Sequence, residues 1–335
     1  MRAMVLTSTG PVEEADRLEL RQLPDPEPGA GQLCLRVLAC AVCRTDLHLA
    51  EGELPDPKPN VIPGHQIVGV VESVGEGVSG IEVGQRLGVP WLGGVDGSCA
   101  YCRGGLENLC DSPTFTGYLT DGGYAERVVA RADFCFPVPD RYGDVEAAPL
   151  LCAGLIGYRA YRLAEPHGLL RRARLGLWGF GNSAHIVIQV AAHDGVDAYV
   201  YTRGEQGREQ ASRLGASWTG SGADLPAEEL DAVIVFATAG HLVPHALQAV
   251  RKGGSVVCAG IHMSPIPEFE YDLLWGERMI RSVANLTRRD GREFLRLAAD
   301  RPIETVTQVL ALEDANHALR MQKAGTLDGT VVLVP

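Results

Sequence analysis

The sequence predicts an α/β protein in which a β-rich part accompanies a doubly wound parallel sheet. Short apolar stretches broken by Gly and Pro fill the chain up to about residue 150, whereas strands and helices alternate after Gly154. A length of 335 residues exceeds what one hydrophobic core usually supports. We therefore expect two domains, one formed by residues 1–155 and 283–335 and the other by residues 156–282.

The β-rich part contains the apolar stretches LCLRVLAC, IVGVVESVGEGVSGIEVGQRLGV and GGYAERVVARADFCFPVP. Runs that are rich in β-branched residues and end at glycines are typical of strands joined by tight turns. The first domain is therefore predicted to be a strongly turned, partly barrelled sheet.

The second part alternates strands with helices. RARLGLWGF, DAYVYTR, LDAVIVFATAG and SVVCAGI have the composition of buried strands, and NSAHIVIQVAAH has helical spacing. This alternation predicts a parallel, doubly wound sheet. Two later helices, DGREFLRLAAD and EDANHALRMQKAG, and a closing strand, GTVVLV, are expected to return to the first domain.

Composition and charge narrow the class of protein. The chain is 46% hydrophobic and 21% charged, as in soluble globular enzymes. It contains no apolar run of the roughly 18 residues that span a membrane, and its start lacks the apolar segment of a signal peptide. Nine cysteines without such a signal favour metal binding or reduced thiols in the cytoplasm. The net charge of −12 disfavours nucleic-acid binding.

Three zinc-binding residue types lie in separate motifs. Cys43 begins CRTDLH, His65 belongs to PGHQ, and Cys152 belongs to LLCAG. Zinc held by three protein ligands keeps its fourth position open for water or substrate, which is the arrangement of a catalytic site. Asp46 is the candidate partner for the second ring nitrogen of His65, because a zinc-bound imidazole usually donates to a carboxylate.

A dinucleotide-binding turn is predicted within GLWGFGNSAH, where Gly179, Gly181 and Ala184 form a GxGxxA pattern. The first glycine permits a tight turn, the second lets the pyrophosphate approach, and the small third residue allows the helix to pack closely. Asn182 and Ser183 begin the following helix, whose N-terminus attracts the anion.

The predicted second strand of this domain ends in YVYTRGEQ, where an NAD-binding protein usually has an acidic residue. Thr202 and Arg203 occupy that place, and a neutral side chain followed by a cation suits the 2′-phosphate of NADP(H). We therefore favour NADP(H). The nearby Glu205 leaves NAD(H) as the alternative.

A second metal site is predicted in DGSCAYCRGGLENLC. Its candidate ligands for a structural zinc are Asp96, Cys99, Cys102 and Cys110. The carboxylate is a harder ligand than a thiolate and should bind zinc less tightly. The alternative is that the lobe lacks a metal and its three cysteines are free thiols.

Taken in order, CRTDLH, PGHQIVG, GSCAYCRGGLENLC, GGYAE, APLLCAG and GFGNSAH resemble the medium-chain, zinc-dependent alcohol dehydrogenases over essentially the whole chain. The resemblance implies a GroES-like catalytic domain, a Rossmann coenzyme domain and an active-site cleft between them. It also implies homodimers or homotetramers joined largely through the coenzyme domains.

The resemblance assigns roles to individual residues. It implies a catalytic zinc on the three ligands named above, a proton relay through Thr45 and His48, and a contact between Arg44 and the coenzyme pyrophosphate. Two residues depart from the pattern. Gln66 replaces a carboxylate that many relatives have near the metal, and Asp96 replaces the usual first cysteine of the lobe.

The predicted reaction is hydride transfer between an alcohol and a nicotinamide coenzyme, giving an aldehyde or ketone. By resemblance, Leu54, Trp91 and Leu92 line an apolar pocket suited to primary aliphatic or aromatic alcohols. A polyol dehydrogenase would typically have a glutamate ligand where this chain has Cys152. A zinc-free quinone reductase does not fit the intact ligands, and a nucleic-acid-binding or redox-sensing zinc ribbon does not fit the acidic charge and coenzyme motif.

Overall fold

The computed structural model describes residues 1–164, 173–261, 263–325 and 329–335. The strands of the described chain are β1 Arg2–Leu6, β2 Leu18–Gln22, β3 Gln32–Ala41, β4 Ile67–Val74, β5 Arg86–Val89, β6 Leu92–Gly94, β7 Thr114–Phe115, β8 Arg127–Arg131, β9 Phe136–Pro137, β10 Arg174–Trp178, β11 Asp197–Tyr201, β12 Trp218–Gly220, β13 Leu230–Val235, β14 Val250–Cys258, β15 Met279–Ser282, β16 Thr307–Ala311 and β17 Thr330–Val334. The α-helices are α1 Arg44–Glu51, α2 Ala100–Arg103, α3 Asp144–Ala147, α4 Ala153–Ala164, α5 Asn182–His193, α6 Glu205–Arg213, α7 Leu242–Ala249, α8 Arg288–Asp300 and α9 Ala315–Ala324.

The chain divides into two compact units. The first consists of Met1–Cys152 together with Asn285–Pro335, and the second of Ala153–Ala284. In the part of the chain that the structure describes, no helix is long and apolar enough to cross a membrane.

The first unit is built on a mostly antiparallel sheet with the order β16-β17-β3-β4-β5-β9, and β8 also pairs with β3. The long strand β3 lies near the middle, so its Leu and Val side chains are buried at most positions. Strand β17 pairs with β3 through Val332 opposite Ala41. The C-terminal strand therefore belongs to the same sheet as the first part of the chain.

The second unit contains a six-stranded sheet with the order β12-β11-β10-β13-β14-β15, in which each neighbouring pair is parallel. The chain order reverses direction between β10 and β13. Ligands of doubly wound sheets bind outside the carboxyl ends of the strands at such a point. The predicted doubly wound parallel sheet is confirmed, with two short edge strands, β12 and β15, that the apolar pattern does not predict.

Candidate functional site

The three predicted ligands of the catalytic zinc lie close together in the first unit. Cys43 is the N-cap of α1, His65 precedes β4, and Cys152 follows a short 3₁₀ turn. One ligand atom from each residue lies within 4.8 Å of the other two. Nε2 of His65 is buried and has no hydrogen-bond partner within the described chain. Two thiols and an imidazole nitrogen without a protein partner fit a zinc ion with an open fourth position.

Asp46 connects two of these ligands. Its Oδ1 lies 3.1 Å from Nδ1 of His65, and its Oδ2 accepts the N–H of Cys43 at 2.8 Å. The carboxylate can do both because Asp46 occupies the third position of α1, where acidic side chains reach back to the N-cap backbone. The Cys-x-x-Asp spacing is therefore a helix-capping pattern that also orients the histidine.

The ionisable groups of this site shift one another's pKa values. Burial alone would lower the pKa of His65, but the Asp46 carboxylate outweighs it and raises this pKa to about 10. A hydrogen bond with the Cys152 thiol, assisted by His65, holds the pKa of Cys43 well below its usual range. The site therefore favours a Cys43 thiolate, and a metal that binds there displaces protons from its ligands.

The PGHQ loop is shaped by close packing. Gly64 has φ +94°, and a Cβ there would lie 2.4 Å from Cδ1 of Tyr124, so the chain requires glycine before His65. The next residue, Gln66, is 2% exposed, and its Nε2 donates to the carbonyl of Ala41 at 3.4 Å. Its Oε1 has no hydrogen-bond partner among the described residues.

Helix α1 also positions the predicted relay residues. The hydroxyl oxygen of Thr45 lies 3.7 Å from Sγ of Cys43, and Arg44 is exposed at the first helical position. Nδ1 of His48 contacts the carboxylate of Glu53. Gly52 ends the helix in the left-handed region, and the N–H of Glu53 then bonds the carbonyl of His48 at 2.9 Å. Sequence reasoning missed Glu53, although the glycine after the helix was the available signal.

Three aromatic rings stack beside the zinc ligands. The ring of Trp91 meets that of His65 edge-on at a centroid distance of 4.9 Å. It also stacks on Phe115 at 5.0 Å and on Tyr118 at 5.8 Å. Of the other predicted pocket residues, Leu54 is partly buried and Leu92 is fully buried.

The cysteine lobe forms a second cluster of potential metal ligands, in which Asp96, Cys99, Cys102 and Cys110 offer atoms within 4.8 Å of one another. Oδ2 of Asp96 lies 3.2 Å from Sγ of Cys110. Its Oδ1 accepts the N–H groups of Cys99 at 2.8 Å and Ser98 at 2.6 Å, and these bonds lower the pKa of Asp96. The carboxylate therefore presents one oxygen to the thiols while the other organises the loop.

An ion pair connects this lobe to α8. Glu107 accepts the backbone N–H of Arg288 at 2.6 Å and the Nη2 of the same residue at 2.6 Å. Burial raises the pKa of Glu107, but these contacts with Arg288 outweigh it, and the pKa is lowered. The pairing joins residues far apart in sequence, so local sequence patterns do not predict it.

The glycine-rich turn of the second unit leaves its backbone open at the start of α5. Gly179 has φ +97°, and a Cβ there would lie 2.7 Å from the backbone nitrogen of Ala237. Gly181 caps α5, and an added Cβ would meet nothing within 4 Å. Ala184 is fully buried, while Asn182 and Ser183 begin the helix at partly exposed positions. An open backbone at a helix N-terminus suits a pyrophosphate.

Two arginine side chains lie near the end of β11. Thr202 is partly buried and Arg203 is exposed, and the first acidic residue that follows is Glu205 at the start of α6. Nη1 of Arg208 donates to the carbonyls of Thr202 at 3.4 Å and Arg203 at 3.1 Å. A second guanidinium therefore lies beside Arg203, a neighbour that the strand-end motif does not predict.

Comparison with known proteins agrees with this arrangement. Residues 29–140 match the alcohol dehydrogenase GroES-like domain family. The chain is 45% identical over 333 residues to the probable alcohol dehydrogenase AdhA of Mycobacterium tuberculosis, which covers 97% of this chain and 93% of that protein. The chain belongs to the medium-chain, zinc-dependent alcohol dehydrogenase family.

Further relatives of this alcohol dehydrogenase support the assignment. An alcohol dehydrogenase of Geobacillus stearothermophilus is 35% identical over 326 residues, covering 94% of this chain and 96% of its own. The structure of acetophenone reductase from Geotrichum candidum in complex with NAD matches with a TM-score of 0.87 and 27% identity, covering 100% of this chain and 97% of that one. The predicted combination of a GroES-like domain and a Rossmann-type parallel sheet is confirmed.

Proposed function

We propose that this alcohol dehydrogenase is zinc-dependent and NADP(H)-preferring, and that it interconverts primary aliphatic or aromatic alcohols and their carbonyl compounds. The observation that carries the proposal is the triad of Cys43, His65 and Cys152. Its imidazole Nε2 is buried without a protein partner, and its Nδ1 is held by Asp46. Three ligands with an oriented imidazole match a catalytic zinc better than a closed structural one.

A zinc ion in this site would act as a Lewis acid that polarises the oxygen of the alcohol or carbonyl substrate. The chain's own contribution is proton transfer. We assign the hydroxyl of Thr45 as the group that takes the alcohol proton, because it lies 3.7 Å from the ligand thiol of Cys43. The Thr45 hydroxyl releases its own proton as it accepts that of the alcohol, and His48, whose Nδ1 is held by the half-exposed Glu53 carboxylate, would deliver the released proton to solvent.

The preference for NADP(H) rests on the charge at the end of β11. Arg203 is exposed, and Arg208 is anchored beside it by bonds to two backbone carbonyls. A guanidinium matches phosphate in charge and geometry. The turn at Gly179 and Gly181 would hold the pyrophosphate of either coenzyme, and we assign the exposed Arg44 as a further pyrophosphate contact.

The substrate class rests on the ring stack. Trp91 contacts the ligand His65 edge-on and is held flat by Phe115 and Tyr118. A rigid aromatic surface beside the reacting centre favours apolar and planar substrates over polyols, which need polar partners for each hydroxyl.

We further propose a structural zinc on the cysteine lobe. Asp96, Cys99, Cys102 and Cys110 lie close enough for one tetrahedral ion, and the carboxylate already faces a thiol. The ion would stabilise the fold of the lobe and would take no part in the reaction.

The exposed edge of the second unit supports assembly into a homodimer, with a homotetramer as the larger alternative. Strand β15 has a strand neighbour on one side only within the described chain. Nearby, Tyr271 is 65% and Trp275 is 62% exposed. An open strand edge beside large apolar side chains favours pairing with another chain. Light scattering combined with size-exclusion chromatography tests this state.

We place the enzyme in the cytoplasm with small molecules as its ligands. None of the nine cysteines forms a disulfide, a state that a reducing compartment preserves. The net charge of −12 argues against nucleic acid as a partner.

Steady-state rates with NADP⁺ and NAD⁺, measured against a panel of alcohols on protein of known zinc content, test the proposal. We expect the highest kcat/KM with NADP⁺ and an aromatic or medium-length primary alcohol, and little turnover of polyols. Turnover confined to polyols would contradict the substrate class, and a preference for NAD⁺ would contradict the coenzyme assignment.

A further inference from the structure

A groove of about 690 Å³ lies in the first unit between residues 136–141 and one face of α8. It is separate from both clusters of zinc ligands, since it shares no lining residue with either. Its volume falls within the range of about 300–1,000 Å³ that is typical of small-molecule sites.

The helical wall of the groove alternates charge and apolar surface. Arg292, Leu295, Arg296 and Ala299 line it at helical spacing, so they lie on the same face of α8. Both arginines on this wall are exposed, and no carboxylate of the described residues lies within 4.0 Å of either guanidinium, although Glu107 interacts with Arg292 over a longer distance. Guanidinium groups without a direct carboxylate contact are available to an anionic ligand.

The opposite wall adds a third cation. Arg141 lines the groove, and its Nη1 donates to the carbonyl of Ala299 at 2.6 Å, which joins the two walls. The acidic lining residue is Asp140, so three arginines outnumber one aspartate. The groove is thus locally cationic on a chain whose net charge is −12.

The walls are held close together before any ligand binds. A Cβ at Gly291 would lie 2.5 Å from Cζ of Phe136, so α8 approaches β9 as closely as a glycine allows. The hydroxyl of Tyr142 donates to the carbonyl of Ala298 at 3.2 Å. A preformed site loses less entropy on binding than one that must be ordered.

We propose that this groove binds a small carboxylate with an apolar chain or ring of roughly six to ten carbons. Arg292 and Arg296 bind the carboxylate, because a guanidinium matches its two oxygens. Leu295 and Phe136 contact the apolar body, since both are buried and line the groove. The chemistry therefore selects an amphipathic anion over both a bare anion and an uncharged alcohol.

Calorimetric titration of the zinc-loaded enzyme with octanoate tests this site. We expect one binding site per chain, and a Kd that rises about tenfold or more in the double variant R292Q/R296Q. The matched control R289Q changes a neighbouring arginine that is 76% exposed and paired with Glu293 outside the groove. It should leave the Kd unchanged.

A second ligand and a second double variant test the same site. Acetate should bind far more weakly than octanoate, and R292K/R296K, which keeps the charges, should fall between the wild type and the glutamine variant. Each variant should retain its zinc content and alcohol turnover, which shows that it is folded. Unchanged octanoate affinity in R292Q/R296Q, equal loss in R289Q, or acetate binding as tightly as octanoate would each overturn the proposal.

Discussion

Nδ1 of His65 lies 3.1 Å from Oδ1 of Asp46, and the other oxygen of that carboxylate accepts the N–H of Cys43 at 2.8 Å. One buried acid therefore fixes the orientation of one zinc ligand and the backbone of another. Such a carboxylate makes the imidazole a stronger ligand and selects its tautomer.

Asp46→Asn should weaken the binding of the catalytic zinc by about 10- to 100-fold, because an amide neither matches the charge nor serves both partners. Competition between the protein and a chelator measures this affinity. Asp16→Asn is the matched control, since Asp16 forms an exposed pair with Arg320 and should have no effect. Equal zinc affinity in Asp46→Asn and wild type would refute the orienting role.

His48→Ala should slow alcohol oxidation mainly below about pH 8, where solvent bases that could replace the relay are scarce. The pH profile of kcat/KM checks this. Glu53→Gln should show a weaker form of the same pH-dependent defect, because Glu53 contacts Nδ1 of His48. A uniform loss across the pH range would argue that His48 is only structural.

Asp96→Ala should reduce the zinc content from about two ions per chain to about one, since three thiols alone do not complete a structural site. Asp96→Cys should retain both ions and release the second more slowly to a chelator, because a thiolate is the softer ligand. Elemental analysis with a timed chelator assay measures both effects. A wild-type protein with one zinc would show that the lobe holds no metal.

Arg203→Ala should lower kcat/KM for NADP⁺ by about tenfold, the loss expected for one partly solvated contact with a charged group. The value for NAD⁺ should change little, because NAD⁺ has no 2′-phosphate. The ratio of the two constants is the measurement. A parallel fall with both coenzymes would place Arg203 away from the 2′-position.

Glu107→Gln should lower the thermal midpoint by about 2–6 °C at neutral pH, because it breaks a largely buried pair worth about 1–2 kcal/mol. Arg288 lowers the pKa of Glu107 in the folded state. Its stabilising contribution is therefore present above an unfolded pKa near 4.3 and is lost as the pH falls through the folded value.

Calorimetric scans between acidic and neutral pH test this sign. The difference in thermal midpoint between wild type and Glu107→Gln should shrink as the pH falls. Glu293→Gln on the same helix removes an exposed pair with Arg289 and should cost less than about 0.5 kcal/mol. A constant difference between wild type and Glu107→Gln at all pH values would contradict the assignment.

Local patterns predicted much of this molecule. The alternation after Gly154 predicted the parallel sheet, because strand and helix periods differ in the sequence itself. The Cys-x-x-Asp spacing predicted that Asp46 faces His65, since both residues lie in short motifs with known chemistry. The GxGxxA turn likewise predicted an open backbone at Gly181.

Pairings between distant segments were not predictable in this way. The Glu107–Arg288 pair and the stack of Trp91 on Tyr118 depend on tertiary packing, to which local spacing gives no guide. Glu53 reaches His48 because Gly52 reverses the chain, a conformation that one glycine only suggests. The short strands β12 and β15 lack a long apolar run, so their extended conformation depends on pairing with the neighbouring strands of the sheet.

Zinc reconstitution tests the central claim most directly. Chelator-treated enzyme should be titrated with zinc while bound zinc and NADP⁺-dependent oxidation of an aromatic primary alcohol are followed together, in wild type and in Cys43→Ser. The account predicts that wild-type turnover rises in step with the catalytic zinc and that Cys43→Ser stays inactive at every zinc level. Full turnover without bound zinc, or in Cys43→Ser, would contradict it.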